Sequence, residues 1–115
     1  MPTYQAKGSG YFPFASKMEG GSVDRHGKPL KTLQAFLEGK AEYVSVAMDK
    51  NLPIKYGTKL SIPQIDKKYN SQIEFRVVDT GDDFTDKGYT RIDICTRNRA
   101  ASLEPTLNGS LTLQF

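Results

Sequence analysis

Hydrophobic and polar residues alternate with a period of two over most of the chain after residue 42. Such alternation is typical of β-strands that bury one face. A looser alternation near the start predicts an opening strand that glycines and Pro13 break. The predicted strands are residues 3–12, 42–49, 59–63, 72–79, 89–96 and 110–115. About six short strands favour a mainly β fold, a small closed or nearly closed barrel.

A helical period occurs between the first two predicted strands. Leu30, Leu33, Phe36 and Leu37 are spaced to share one helical face, and Gly39 supplies a C-terminal stop. We therefore predict one substantial helix near residues 31–38, with its Leu/Phe stripe packed on the core. Residues 66–70 are predicted to form a turn, and residues 97–107 could hold a short helical turn.

Size and charge limit the function classes. The chain has 115 residues and 12.8 kDa, which suits a single domain over residues 1–115. No apolar run approaches membrane-spanning length, and the N-terminus shows no secretory signal pattern. The net charge is +3, but the basic residues are scattered rather than striped, which argues against a nucleic-acid partner.

Cysteine and histidine chemistry is sparse. The single cysteine, Cys95, cannot form an internal disulfide and is expected to be a small buried hydrophobe. The only histidine, His26, is expected in a polar loop. The sequence has no Cys/His cluster, so neither a metal nor a cofactor is expected.

Three aspartates at or near strand ends are the main candidates for chemistry. Asp49, Asp79 and Asp93 each lie in a short run rich in Val and Ile, where an unpaired carboxylate is costly. Strands that converge would bring the three carboxylates into one cleft. Because shared carboxylates repel, at least one tends to stay protonated, as a general acid requires.

Alternation places the three acids differently. Asp49 and Asp93 are predicted on mixed faces, opposite the apolar faces of their strands. Asp79 extends an apolar face, so it must lie where the strand opens to solvent or where a bulge redirects it. Asp49 and Asp79 also precede turn residues and could simply cap turns. Five further acids are expected to be solvated loop residues rather than extra catalysts: Glu19, Asp24, Asp82, Asp83 and Asp86.

Residues 43–98 resemble the three-aspartate domain of peptidoglycan-cleaving enzymes. The resemblance is carried by VSVAMD (44–49), a Pro-x-x-x-Gly-Thr segment (53–58), FRVVDTG (75–81) and TRID (90–93), in the family's order. It implies a six-stranded double-psi β-barrel like that of membrane-bound lytic transglycosylase A and the expansins. The sequence departs from the family in its longer link at 81–90 and in residues 12–39, which have no counterpart.

The resemblance also implies roles. Asp93 corresponds to the single acid/base of a lytic transglycosylase, with Asp79 and Asp49 raising its pKa, orienting it or stabilising the transition state. Thr80 and Gly81 would offer a hydroxyl and backbone N–H groups to a peptidoglycan or related polysaccharide. Tyr11 would belong to a sugar-stacking wall, although core packing is the alternative.

Two functional hypotheses follow. The first is a lytic transglycosylase that forms 1,6-anhydromuramoyl products. The alternative is a non-catalytic, expansin-like glycan-binding module, or an assembly module of a cell wall, phage or secretion system. We expect a monomer that needs a lysis or secretion route to reach the wall, with an immunity or secretion partner.

Overall fold

A computed structural model of the chain describes residues 2–12, 23–80 and 87–115. Each of its six strands overlaps one segment expected from the period-two alternation, so the prediction of a mainly β chain is confirmed. The strands are β1 (Thr3–Tyr11), β2 (Val44–Ala47), β3 (Thr58–Leu60), β4 (Phe75–Asp79), β5 (Arg91–Cys95) and β6 (Ser110–Gln114).

The described residues contain three short α-helices: α1 (Leu33–Leu37), α2 (Pro63–Tyr69) and α3 (Arg99–Ser102). The first confirms the predicted helix, and the Thr32 hydroxyl caps it by accepting from the Ala35 N–H at 3.0 Å. The sequence does not predict α2, which overlaps the predicted turn at 66–70, whereas α3 lies within 97–107, where a short helical turn is expected. Only Ile65 of α2 is buried, so its helical period is too short to stand out.

The strands form one mixed sheet in the order β3-β4-β2-β5-β1-β6. The sheet curls into a half-barrel, and residues beside its two outermost strands meet. There Ser61 and Gln114 exchange backbone N–H···O bonds of 2.9 Å in both directions. The predicted barrel is therefore present as a curled sheet that is joined at this bridge.

Strand pairing follows the same scheme in the two halves of the chain. β1 is parallel to β5 and antiparallel to β6. In the same way, β4 is parallel to β2 and antiparallel to β3. The central pair, β2 with β5, is antiparallel. Strands one to three thus have neighbours equivalent to those of strands four to six.

The apolar core fills the concave side of the sheet. It contains the apolar faces that alternation predicts for β2, β4 and β5, and α1 adds Leu33.

Aromatic rings pack against this core. Tyr4 and Tyr89 stack at 3.8 Å between ring centroids, and Phe115 meets both edge-on. The largest fully buried side chains are Phe75, Leu33, Met48, Ile62, Ile65, Ile73, Ile92, Ile94, Leu107, Leu111, Leu113 and Val44.

β1 continues unbroken through its glycines, which corrects the expectation that they break the strand. A Cβ at Gly8 would lie 2.3 Å from the carbonyl oxygen of Leu107, and one at Gly10 would lie 2.5 Å from that of Ser102. These glycines therefore allow neighbouring backbone to approach β1 closely.

The helices of the described residues are all too short to span a lipid bilayer.

Candidate active site

Two of the three aspartates lie on the same face of the sheet. Ala47 on β2 pairs with Asp93 on β5 and with Asp79 on β4. Paired residues on neighbouring strands project to the same face, and strands lie about 4.8 Å apart, so the two Cα atoms are about 10 Å apart. Ala47, which stands between them, is itself only 4% exposed.

A β-bulge puts Asp79 on this face. Val46 pairs with Val77, but the next residue, Ala47, pairs with Asp79, so Val78 is the extra residue. Regular alternation would have directed Asp79 to the side of Val77, which is in the core. The bulge shifts it onto the opposite face, one of the two possibilities expected from the sequence.

β1 extends this arrangement. Ser9 pairs with Asp93, and Tyr11 pairs with Cys95. We call Asp79, Ala47, Asp93 and Ser9 the carboxylate row, since they stand in register on four adjacent strands. Tyr11 and Cys95 lie one alternation further along the same face.

Asp79 is half-buried, and its surroundings raise the pKa of its carboxyl group. Burial raises the pKa of Asp79, the hydrogen bond from the Thr80 N–H opposes this, the charge of Asp24 raises the pKa further, and Arg25 lowers it. The Thr80 N–H lies 2.9 Å from Asp79 Oδ1. The backbone of Thr80 thus serves the carboxylate itself, while Gly81 lies outside the described residues.

Tyr11 and Cys95 form a protonated pair beside the row. The Tyr11 hydroxyl is buried, and burial is the main reason why its pKa is raised well above the usual value. Electrostatic interactions with Cys95, Asp79 and Asp93 raise the pKa further. Burial and then the charge of Asp79 raise the pKa of Cys95 to about 12, while the nearby Tyr11 hydroxyl acts in the opposite direction. Cys95 is fully buried, as predicted.

Asp49 holds two loops together. It is 6% exposed, and its Oδ1 and Oδ2 each accept a backbone N–H at 2.9 Å, from Asn51 and Gly88 respectively. These two hydrogen bonds lower the pKa of Asp49. They connect the turn after β2 to the residues that lead into β5. Asp49 therefore binds loop backbone, whereas Asp79 and Asp93 share a register position.

Asp49→Asn is expected to lower stability at neutral pH, because a neutral amide accepts these hydrogen bonds more weakly than a carboxylate. The pKa of Asp49 is lower in the folded state than in the unfolded state. Its contribution is thus present above the unfolded value and is lost as pH falls through the folded one. Urea midpoints should differ most between wild type and variant near neutral pH, and the difference should shrink below about pH 4.

Asp66→Asn provides a control of opposite sign, because burial raises the pKa of Asp66. Wild-type stability should fall relative to this variant as pH rises from the unfolded pKa through the folded one. A difference between wild type and Asp49→Asn that stays constant from neutral to acidic pH would contradict the proposed hydrogen-bond role.

Asp24 corrects a prediction, because it was expected to be a solvated loop residue. It is 5% exposed and accepts backbone N–H bonds from His26 and Lys28 and a hydroxyl bond from Tyr56. The sequence does carry a turn signal, since Asp24 is followed by Gly27, whose φ is 78°. The contact with Tyr56, 32 positions away, leaves no such signal.

A groove formed by described residues lies away from the carboxylate row. It has a volume of about 600 Å³ and includes Phe36, Leu60, Glu74 and Phe115. Glu74 precedes Asp79 by five residues of extended chain, or about 16 Å. The carboxylate row and this groove are thus separate features.

Four of the five acids expected in loops lie outside the described residues: Glu19, Asp82, Asp83 and Asp86.

No family model, curated protein or solved structure matches the chain. Within residues 2–12, 23–80 and 87–115, no group of three or more His, Cys, Asp or Glu side chains is arranged to hold a metal ion.

Proposed function

We propose that this protein cleaves glycan strands of peptidoglycan as a lytic transglycosylase, with Asp93 as its acid/base. The supporting observation is the register of Asp79 and Asp93 on either side of Ala47. The bulge that creates this register redirects the Asp79 carboxylate from the core to the face of Asp93, and bulges are over-represented next to active sites. Two acids that share a face, one of them with a raised pKa, suit proton transfer to a glycosidic oxygen.

The proposed reaction needs one group that both gives and takes a proton. Asp93 protonates the glycosidic oxygen as the bond to the muramoyl C1 breaks. The resulting carboxylate then removes the proton from the C6 hydroxyl of the same sugar, and that oxygen bonds to C1. The products are a 1,6-anhydromuramoyl end and a free hydroxyl on the leaving sugar. Protons balance, and water takes no part as a nucleophile.

The other candidate residues have supporting roles in this proposal. Asp79 stabilises positive charge at C1 and influences the proton affinity of Asp93 through its own charge. Asp49 positions the entry to β5 through Gly88. Tyr11 contributes its ring to a sugar-stacking wall, and Thr80 and Gly81 offer a hydroxyl and backbone N–H groups to the substrate.

We also propose that the curled sheet belongs to the double-psi class of β-barrels. The equivalence of the two halves in strand pairing supports this, because a double-psi barrel consists of two interlocked halves with such pairing. The Ser61–Gln114 bridge at the meeting edges supports closure.

A non-catalytic glycan-binding module is the second candidate. The groove of about 600 Å³ favours it, because aromatic residues and polar side chains such as Gln72 and Gln114 suit a sugar. This groove lies apart from the carboxylate row. Under either proposal the wall would be reached through a lysis or secretion route, with an immunity or secretion protein as partner.

Digestion of purified peptidoglycan followed by mass spectrometry tests the function. We expect products with 1,6-anhydromuramoyl ends, and a parallel incubation without protein supplies the blank. Reducing ends would instead indicate a hydrolase that uses a second carboxylate to activate water. Retention on peptidoglycan without products of either kind would favour the binding module.

A further inference from the structure

The turn at residues 23–29 is built around the carboxylate of Asp24. Asp24 Oδ1 accepts the backbone N–H groups of His26 at 2.8 Å and Lys28 at 3.1 Å. An additional backbone bond of 2.8 Å runs from the Asp24 N–H to the Lys28 carbonyl, and Val23 and Pro29 close the turn with a bridge. These contacts fix both the loop and the carboxylate at its centre.

Tyr56 holds the second oxygen of Asp24. Its hydroxyl donates to Oδ2, and burial followed by this bond raises the pKa of Tyr56. His26 stacks on the Tyr56 ring at 3.7 Å between centroids, and the Arg25 guanidinium lies 5.5 Å from the ring centroid. Both oxygens of a nearly buried carboxylate are thus held by donors from two separate parts of the chain.

The turn is docked on the bulge that presents Asp79. The Arg25 N–H donates to the carbonyl of Val78, the extra residue of the bulge, at 3.3 Å. Asp24 is the residue before Arg25, and Asp79 is the residue after Val78. A single backbone hydrogen bond therefore brings the two carboxyl-bearing segments side by side.

We propose that Asp24, clamped by Tyr56 and docked on the β4 bulge, is a positioning residue that keeps a fixed negative charge beside Asp79. This role rests on the proposed glycan cleavage, in which Asp79 assists Asp93. A fixed charge there makes ionisation of Asp79 less favourable, in agreement with the direction found for its pKa. Asp24 acts through Asp79 and is not assigned a contact with substrate.

Other charged and titratable groups also act on Asp79 or stand near it. Arg25, on the same turn, opposes Asp24. Tyr11 on β1 and Cys95 on β5 both interact electrostatically with Asp79. Asp93 stands in register across Ala47, and Asp49 follows β2. Asp24→Asn removes only the Asp24 charge from this set and leaves an acceptor oxygen for the turn.

Carboxyl ¹³C NMR titration of Asp79 tests the proposal without any substrate. In Asp24→Asn the Asp79 midpoint should move to lower pH, because the proton is held less tightly without the neighbouring charge. Glu38→Gln is the matched control, since it removes one negative charge from an exposed side chain paired with Lys40 and Arg97. Its Asp79 midpoint should equal that of wild type.

Tyr56→Phe is the second variant, in case Asp24→Asn does not fold. It keeps the Asp24 charge but releases Oδ2 from the clamp, so the charge is held less firmly beside Asp79. The Asp79 midpoint should therefore also move to lower pH, by less than in Asp24→Asn. An unchanged midpoint in folded Asp24→Asn, or in Tyr56→Phe if Asp24→Asn cannot be obtained folded, overturns the proposal.

The proposed function fails separately, through the absence of glycan products from wild type, whatever the titration shows. If wild type does cleave glycan, the alkaline limb of kcat/KM should move to lower pH in Asp24→Asn. An alkaline limb that stays in place would overturn the positioning role.

Discussion

Asp93→Asn is expected to abolish glycan cleavage, with a loss of about 10²–10⁴-fold or more in kcat. The amide keeps the size and hydrogen-bonding reach of the carboxyl group, but it cannot give up and recover a proton. Asp93 is only partly buried, so the fold should tolerate the exchange. Mass spectrometry of anhydromuramoyl products and a thermal melt of the same preparation measure the two effects together.

Asp66→Asn is the matched control for catalysis. It is the same chemical change at a partly buried aspartate, whose Oδ1 accepts the Ile73 N–H at 3.1 Å near the start of β4. Cleavage should persist in this variant.

Asp79→Asn should give an intermediate result, with strongly reduced activity and a lower pH optimum, because the proton on Asp93 is then held less tightly. If the Asp93→Asn variant cleaved glycan at the wild-type rate, Asp93 could not be the acid/base.

Gly10→Ala is expected to destabilise the fold by about 1–3 kcal/mol or more. The added Cβ would lie 2.5 Å from the carbonyl oxygen and 2.7 Å from the Cα of Ser102. Both are backbone atoms of α3, so the contact can be relieved only if the helix moves away from β1. Such a shift would also disturb Tyr11, the next residue of β1, which lies beside the carboxylate row. Urea denaturation monitored by circular dichroism gives the change in the free energy of unfolding.

Gly109→Ala is the corresponding control. The nearest atom to its added Cβ, the carbonyl oxygen of Pro105, lies at 3.5 Å, which is ordinary van der Waals contact. We expect a change within about 0.5 kcal/mol. Equal losses in the two variants would mean that the general cost of replacing glycine, rather than close packing of α3, explains the effect at Gly10.

The strands could be predicted because each keeps its period of two over a half-buried surface. The same argument missed α2, in which Ile65 is the single buried residue and charged side chains follow it. It also misjudged Gly8 and Gly10. Sequence shows that a residue lacks a side chain, but the backbone that occupies the vacated space comes from residues about a hundred positions later.

The sequence predicts the candidate site in part, as it predicts the fold in part. Alternation separated Asp93 from its apolar neighbours and showed that Asp79 needed a bulge or an opening to solvent. Which of the two occurs depends on how β4 pairs with β2, and one sequence does not reveal pairing. Asp24 was missed for the same reason: its turn is local and readable, but its burial depends on Tyr56 and on the bulge.

The bridge between Ser61 and Gln114 also bears on solubility. A β-sheet that ends in two open strands presents rows of unsatisfied amide and carbonyl groups, and these can recruit another molecule into an aggregate. Here the curl brings the outermost strands close enough for two reciprocal bonds, so each partly covers the edge of the other. Loss of this bridge would expose both edges, and self-association would then compete with refolding.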